Sequence, residues 1–301
     1  MKNYTSYDLI EWGKPFEKSQ HALPEPTLSE VLIRVTAAGL CHSDLHVQKG
    51  YMDLGEEGRL TFAERGAQLP MTFGHEIAGF VEAVGDKVKN VSIGQQVLVF
   101  PWIGCGDCLA CNEDRESDCS AMRIIGLKQK GGFATHCLIE NEKFLVNIDG
   151  LDAAEVVPHA CSGITVYNAL EKIGSLRDGE WLAVMGCGGL GLNAIAIARA
   201  MGFGNIIGID IDNSKLDAAR EMGASITLNS KSANAVAELQ KYAESRLMAV
   251  IDTFGGESTG QLAVRALAKS GQYLLVGQAG GDFKMPQVWL PQKAMTVRGS
   301  H

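Results

Sequence analysis

The stretch Gly39-Leu40-Cys41-His42-Ser43-Asp44-Leu45-His46 places a thiol, two imidazoles, a hydroxyl and a carboxylate within eight residues. Alone it is a short polar loop after a strand, and such loops are structurally ordinary. Its meaning turns on whether distant residues supply partners. His75, in Gly74-His75-Glu76, is one candidate. A lone His-Glu pair in a loop is usually just a solvated pair. Beside Cys41, however, it adds a borderline imidazole to a soft thiolate, and these are donor types that zinc prefers. Cys161, in Pro158-His159-Ala160-Cys161-Ser162-Gly163-Ile164-Thr165, is a candidate third ligand. On spacing alone it reads more readily as a buried free cysteine.

A second cluster is more specific. Cys105-x2-Cys108-x2-Cys111-x7-Cys119 gathers four of the eight cysteines within fifteen residues. Spacings of two bring successive sulfurs around one tight loop, and the longer arm lets the fourth close a tetrahedron. Four thiolates leave no open position, so such a zinc site is structural and pins a lobe with few apolar residues. Free or disulfide-bonded cysteines are the alternative. A chain of this size without a secretion signal favours metal over disulfides.

The third motif is Gly186-Cys187-Gly188-Gly189-Leu190-Gly191. It follows an expected buried strand at 181–185 and precedes an apolar helix at 192–201. A second strand at 205–209 ends on Asp210. This is the strand–glycine loop–helix–strand context that a dinucleotide fingerprint requires. Gly186 permits the tight turn, Gly188 lets backbone approach a pyrophosphate, and Gly191 allows close helix–strand packing. Gly189 and Leu190 complete the loop, whose phosphates would face a helix N-terminus. Asp210 is placed to accept hydrogen bonds from the adenosine ribose, and its charge should repel a 2′-phosphate, so NAD is favoured over NADP. Lys215 in the next helix, Val276 at the end of the fifth strand and Gly277 just after it join the candidate cofactor set. An ordinary turn glycine is the other reading of Gly277.

The elements needed to position these groups fall into two patterns. Residues 30–37, 77–84 and 97–100 read as short strands rich in β-branched residues, separated by Gly, Asp and Pro turns. They imply a mainly antiparallel β domain over roughly the first 150 residues. Between them, 50–69 reads as a charged surface excursion. From Asp152 the period becomes helical, with an expected helix at 166–172. Helices at 214–222, 233–245 and 259–267 then alternate with strands at 226–228, 248–252 and 273–276, which indicates a doubly wound parallel sheet.

Composition sets the outer bounds. With 301 residues, 46% hydrophobic and 21% charged, the chain has the profile of a soluble globular protein of two domains. A net charge of −8 without a concentrated basic surface disfavours nucleic acid as a partner. No apolar run reaches membrane-spanning length. The N-terminus leads into polar sequence without a signal-peptide core, so a cytoplasmic location is expected.

Taken together and in this order, these motifs resemble the zinc-dependent medium-chain alcohol dehydrogenases over essentially the whole chain. The Cys-Ser-Gly-Ile-Thr segment at 161 and the insertion before Gly74 look most like bacterial and archaeal NAD-dependent members, often tetrameric. The resemblance implies an N-terminal GroES-like catalytic domain (1–155) and a Rossmann NAD-binding domain (156–297). It implies that Cys41, His75 and Cys161 bind a catalytic zinc. Glu76 would be a fourth ligand that exchanges with water or substrate, or a group just behind the ligands. Ser43 and His46 match the family's proton relay, running through the cofactor ribose to solvent. His42 sits where a basic residue meets the pyrophosphate, Thr165 approaches the nicotinamide, and Trp102 lines the substrate pocket. A bound alcohol would be acidified as zinc-bound water is, from a pKa of about 15.7 to roughly 7, before hydride leaves for the nicotinamide. Asp44 has no part in this scheme and is expected to cap its loop.

Two other functions compete. Polyol or threonine dehydrogenases of the same superfamily typically place a carboxylate at the third zinc position, so Cys161 weighs against them. A non-catalytic, zinc-stapled module is the other, which intact ligands, Ser43 and His46 disfavour. Family members continue past the point where this chain stops. Residues 295–301 are therefore expected to start a sixth strand, with 298–301 beginning the return to the catalytic domain or, as Arg-Gly-Ser-His, resembling a tag remnant. An uncovered sheet edge would follow. The expected partners are a small alcohol, aldehyde or ketone and further copies of the chain, as a tetramer or dimer.

Overall fold

The computed structural model describes residues 2–301. Two compact units result: one takes the chain up to Met52 with Leu60–Cys161, the other Asp53–Arg59 with Ser162–His301.

In the first unit, β1 (Asn3–Leu9) and β2 (Glu17–Ala22) form a hairpin. Then come β3 (Val31–Gly39), helix α1 (His42–Lys49) and the short β4 (Met71–Thr72), which extends the hairpin sheet beside β1. Next are β5 (Glu76–Val84), β6 (Gln96–Val99), β7 (His136–Ile139) and β8 (Leu145–Asn147), which with β3 make a five-stranded sheet in the order β7-β3-β5-β6-β8. Every pairing in it is antiparallel. Val31 and Ile33 point to the same face, as the period of two requires, and pack with Ile77, Val81, Val97, Val99 and Ile139.

Two expectations need correction here. The stretch after Gly39 is not a loop: His42–Lys49 is helical, and it stops at Gly50, whose φ of 89° is open to glycine. Nor is 50–69 only a surface excursion. Phe62 and Ala67 are buried with Leu9, Val47 and Phe73, so two apolar anchors were masked by charged neighbours. The tip of this excursion belongs to the second unit. There Glu56 N–H donates to Asp282 Oδ2 over 3.0 Å, and Lys284 pairs with Glu56.

The second unit is a three-layer α/β/α fold. After α2 (Ser162–Ile173) it runs β9 (Trp181–Met185), α3 (Gly189–Ala200), β10 (Asn205–Asp210), α4 (Asn213–Glu221), β11 (Ile226–Asn229), α5 (Ala235–Tyr242), β12 (Leu247–Asp252), α6 (Glu257–Ala266), β13 (Gln272–Leu275) and β14 (Thr296–Gly299). The six strands are all parallel, in the order β11-β10-β9-β12-β13-β14. Such strands bury both faces, which explains their unbroken apolar runs. Leu182 and Val184 of β9 pack with Val166, Ala194 and Leu216 from one helical layer. Ala183 and Met185 face the other layer, with Leu239 and Val264. Strand order reverses between β9 and β12, the switch point where such sheets bind ligands. The expected sixth strand is present as β14, exposed along its length. Among the described residues no helix is long and apolar enough to cross a membrane.

The helix after β9 begins at Gly189, earlier than the apolar pattern alone suggests, because the glycines form its first turn. A Cβ at Gly191 would lie 1.7 Å from Gly186 O, whereas one at Gly188 would meet nothing within 4 Å. Gly191→Ala is therefore expected to destabilise the second unit by about 2 kcal/mol, as overpacking does, and Gly188→Ala to change stability far less. Equal unfolding midpoints for both variants would contradict the packing role of Gly191.

Candidate active site and metal centres

The first centre is assembled by strand register. β3 and β5 pair so that Gly39 lies opposite Glu76, the last residue of one strand against the first of the other. Cys41 and His75, on either side of this pair, are brought together although 34 positions separate them in the chain. Gly39 must be glycine, since a Cβ there would sit 1.9 Å from Glu76 Oε2. Cys161 arrives from the opposite direction. It follows the helical turn Val157–Ala160, which packs Val157 and Ala160 against Ala78 and Leu98. Ligand atoms of Cys41, His75, Glu76 and Cys161 all lie within 4.8 Å of one another.

Electrostatics make the centre a cation site. Cys41 is held as a thiolate, its pKa lowered to about 3. The Cys161 thiol 3.9 Å away contributes most, and His75 helps against the effect of burial. Cys161 is pushed far up by the same sulfur pair, by burial and by the charges of Cys41, Glu76 and Asp44. Burial works against a charged His75, yet Asp44 and Cys41 beside it raise the imidazole to about 10. Glu76 and Asp44 are themselves buried at 4% exposure. So many acidic donors in a low-dielectric space call for a compensating cation, whose binding would displace protons from His75 and Cys161.

Asp44 does more than the expected cap. Its Oδ2 accepts the Cys41 N–H at 2.9 Å, which closes the start of α1. Its Oδ1 lies 3.5 Å from His75 Nδ1. A carboxylate on one ring nitrogen fixes the imidazole and leaves the other nitrogen for an ion. Sequence spacing gives no sign of this second contact, because it depends on the β3–β5 register. On the outer side of α1, Ser43 Oγ is 3.6 Å from Cys41 Sγ, and the His42 and His46 rings are 5.5 Å apart. Burial, with the charges of His42 and Lys49, lowers the His46 pKa below its ordinary value. Trp102 is buried and packs edge-on against Phe100.

The second centre is the cysteine lobe. Cys105 and Cys111 sulfurs are 3.9 Å apart and those of Cys108 and Cys111 3.5 Å, too long for disulfides; all four cysteines are free. A tetrahedron of thiolates on zinc has edges of about 3.8 Å, so the donor set fits the ion. Amides of Asp107 and Cys108 pull the Cys105 thiol down to about 6. Cys111 is pushed up to about 11 by burial and its sulfur neighbours, despite the Gly106 amide. Gly104 is required beside it, because a Cβ would come within 2.6 Å of Cys111 Sγ.

The glycine loop of the second unit has the shape expected of a phosphate cradle. Gly186 has φ of 86°, and the space beside Gly188 and Gly189 is open. Asp210, at the end of β10, accepts three backbone N–H groups: Cys187 at 2.8 Å, Ile211 at 2.7 Å and Asp212 at 3.0 Å. Leu190 is in the first turn of α3, Lys215 in α4 and Thr165 half-buried in α2. Val276 and Gly277 follow β13 and donate to Asp252 O at 3.0 and 2.9 Å. Thr253, which the sequence reading passes over, places its hydroxyl 2.8 Å from Met185 O and 2.9 Å from Gly186 O.

Asp44→Asn keeps the cap acceptor but removes the charge facing His75. Metal affinity at the Cys41 centre should fall about tenfold or more, while the cysteine lobe keeps its ion, as measured by chelator competition. Unchanged affinity at the Cys41 centre would show that the Asp44–His75 contact is idle.

Comparison with known proteins gives the family. Residues 27–150 match the alcohol dehydrogenase GroES-like domain and residues 189–301 the zinc-binding dehydrogenase family. An NAD-dependent alcohol dehydrogenase of Sulfurisphaera tokodaii is 40% identical over 279 residues, which is 92% of this chain and 79% of that protein. Among solved structures, the alcohol dehydrogenase of Aeropyrum pernix superposes with a TM-score of 0.89 at 26% identity, covering 98% of this chain and 85% of its own. The D-arabinose dehydrogenase of Sulfolobus solfataricus gives 0.87 at 28% identity, covering 100% and 89%. With that identity over nearly all of its length, the chain belongs to the zinc-type medium-chain alcohol dehydrogenase family.

Proposed function

We propose that this protein oxidises primary or secondary alcohols to aldehydes or ketones, reversibly, with NAD as hydride carrier. It would use one catalytic and one structural zinc. The observation that carries this reading is the convergence of Cys41, His75, Glu76 and Cys161 on one point. Its mixed donor set contrasts with the closed four-sulfur lobe of Cys105, Cys108, Cys111 and Cys119. The catalytic zinc-binding domain is assigned to 1–155 and the NAD-binding domain to 156–297. Working as a cytoplasmic homo-oligomer, a tetramer or dimer, is part of the same proposal.

When bound, zinc supplies Lewis acidity toward an alcohol oxygen and NAD+ takes up the hydride. The protein's own groups do the rest. Cys41, His75 and Cys161 hold the ion, with Glu76 as exchangeable fourth ligand or the group behind it. Ser43 accepts the alcohol proton, and His46, three residues along the same helix, delivers it to solvent. Trp102 shapes the substrate side. Gly186, Gly188, Gly189, Leu190 and Gly191 receive the pyrophosphate, which His42 also contacts. Asp210, Lys215, Thr165, Val276 and Gly277 complete the dinucleotide site. Asp210 favours NAD because its carboxylate repels a 2′-phosphate.

A second reading is a polyol or sugar dehydrogenase, favoured by the structural likeness to the D-arabinose enzyme. Cys161 at the third ligand position weighs against it. Incubating the zinc-loaded protein with NAD+ and a panel of simple alcohols, polyols and sugars decides between them by NADH absorbance. Turnover on simple alcohols is expected, and turnover confined to polyols or sugars would replace the first reading. Metal binding with no turnover would leave a non-catalytic module.

The relay makes a pH prediction. A histidine with a lowered pKa stays neutral, and able to accept a proton, to lower pH than an ordinary one. Oxidation by the wild type should persist to lower pH than an ordinary histidine would allow. His46→Gln should lose most of its rate there and recover at alkaline pH, where hydroxide takes the proton directly. Superimposable pH–rate profiles would remove His46 from the relay.

A further inference from the structure

We propose that Thr253 is a positioning residue for the pyrophosphate-binding turn, held in place by the buried Asp252–Tyr273 pair. This rests on the cofactor reading given above.

A single peptide group, the one joining Gly186 to Cys187, is held at both ends. Its N–H is held by Asp210 Oδ2 at 2.8 Å. Its carbonyl oxygen accepts from the Thr253 hydroxyl at 2.9 Å, and that hydroxyl is also 2.8 Å from Met185 O. The peptide is thus clamped at both ends by side chains from two different strands, β10 and the residue just past β12. Because Gly186 sits at φ 86°, its backbone has conformational freedom that other residues lack, and a peptide beside glycine can reorient easily. Reorientation would turn the following N–H groups, which a phosphate needs aimed at it.

Thr253 is itself over-determined. Its N–H donates to Met185 O at 2.9 Å, continuing the β9–β12 pairing that sets Met185 beside Asp252. Asp252 is fully buried. Its Oδ1 accepts Phe254 N–H at 3.0 Å and Gly255 N–H at 2.8 Å, which folds the chain back directly after Thr253. Its Oδ2 accepts Tyr273 O–H from β13 at 2.9 Å. Tyr273 is stacked at a tilt against Phe283, with ring centroids 5.6 Å apart. A line of contacts therefore runs from the core of the sheet, through Tyr273, Asp252 and Thr253, to the first glycine of the fingerprint.

The test uses the zinc-loaded full chain and its Thr253→Val, Thr253→Ser and Tyr273→Phe variants. NADH binding is followed by fluorescence titration, and ADP-ribose binding by competition. Zinc content and unfolding midpoint without nucleotide are measured alongside. Thr253→Val should weaken both ligands by about fivefold, the size of one net hydrogen bond, because both carry the pyrophosphate. The loss should fall on KM for NAD+ more than on kcat, with zinc content unaltered. Thr253→Ser, which keeps the hydroxyl, should restore affinity, and Tyr273→Phe should shift it in the same direction by less. Wild-type affinity in Thr253→Val would overturn the proposal, as would a loss for NADH but not ADP-ribose, or a Thr253→Ser variant as weak as the valine. A wild type that binds neither ligand would instead bring down the cofactor reading and this inference with it.

Discussion

The antiparallel register that sets Gly39 against Glu76 is the constraint on which the first centre depends. Side chains alternate along a strand, so a slip of one residue would turn Glu76 to the other face and separate Cys41 from His75. The absence of a side chain at Gly39 is what allows the Glu76 carboxylate to cross there. Asp44 then ties both halves together, capping the helix that starts at Cys41 and facing His75 from behind. The result is a set of donors whose charge is offset by the protons on His75 and Cys161, or by a cation that displaces them. Fold and metal would thus be coupled in the proposed function: the strands bring acidic groups together, and a bound ion would make their proximity favourable.

In the proposed function the second unit meets a different problem, the reception of an anion, with backbone rather than side chains. Its fingerprint glycines are not equally constrained: Gly186 needs its φ of 86°, and Gly191 has no room for a Cβ. Gly191 lies almost on the Gly186 carbonyl, while Gly188 borders open space. A cradle of glycines is intrinsically mobile, and the polar side chains that end neighbouring strands supply the missing stiffness. Asp210 and Asp252 play parallel parts, each accepting two N–H groups from the loop that follows its strand, and Asp210 also takes Cys187 N–H from the loop after β9. The carboxyl ends of β10 and β12 thereby become rigid rims on either side of β9.

Much of this was legible in the sequence because its signals are local. The alternation of strand and helix after residue 180 translates directly into the parallel sheet, and β9 matches its expected bounds. The four cysteines carry their own geometry in their spacing. What escaped was non-local or concealed by composition. The helix His42–Lys49 was hidden because its polar residues carry little apolar periodicity; only Asp44 and Val47 are buried. Phe62 and Ala67 were lost among charged neighbours. The cap at Asp44 was legible, but its contact with His75 and the role of Thr253 could not be assigned from spacing, since they depend on strand registers that the sequence does not display. A threonine following a buried strand at its carboxyl end was the one available hint for the latter.

X-ray absorption at the zinc edge tests most directly whether two chemically distinct zinc centres coexist in one chain. One centre should present four sulfurs and the other two sulfurs with nitrogen and oxygen, an average of three sulfurs per zinc. Sulfur distances should cluster near about 2.3 Å. A spectrum of sulfur ligands alone, with a single zinc per chain, would contradict the account by leaving Cys41, His75, Glu76 and Cys161 without a metal.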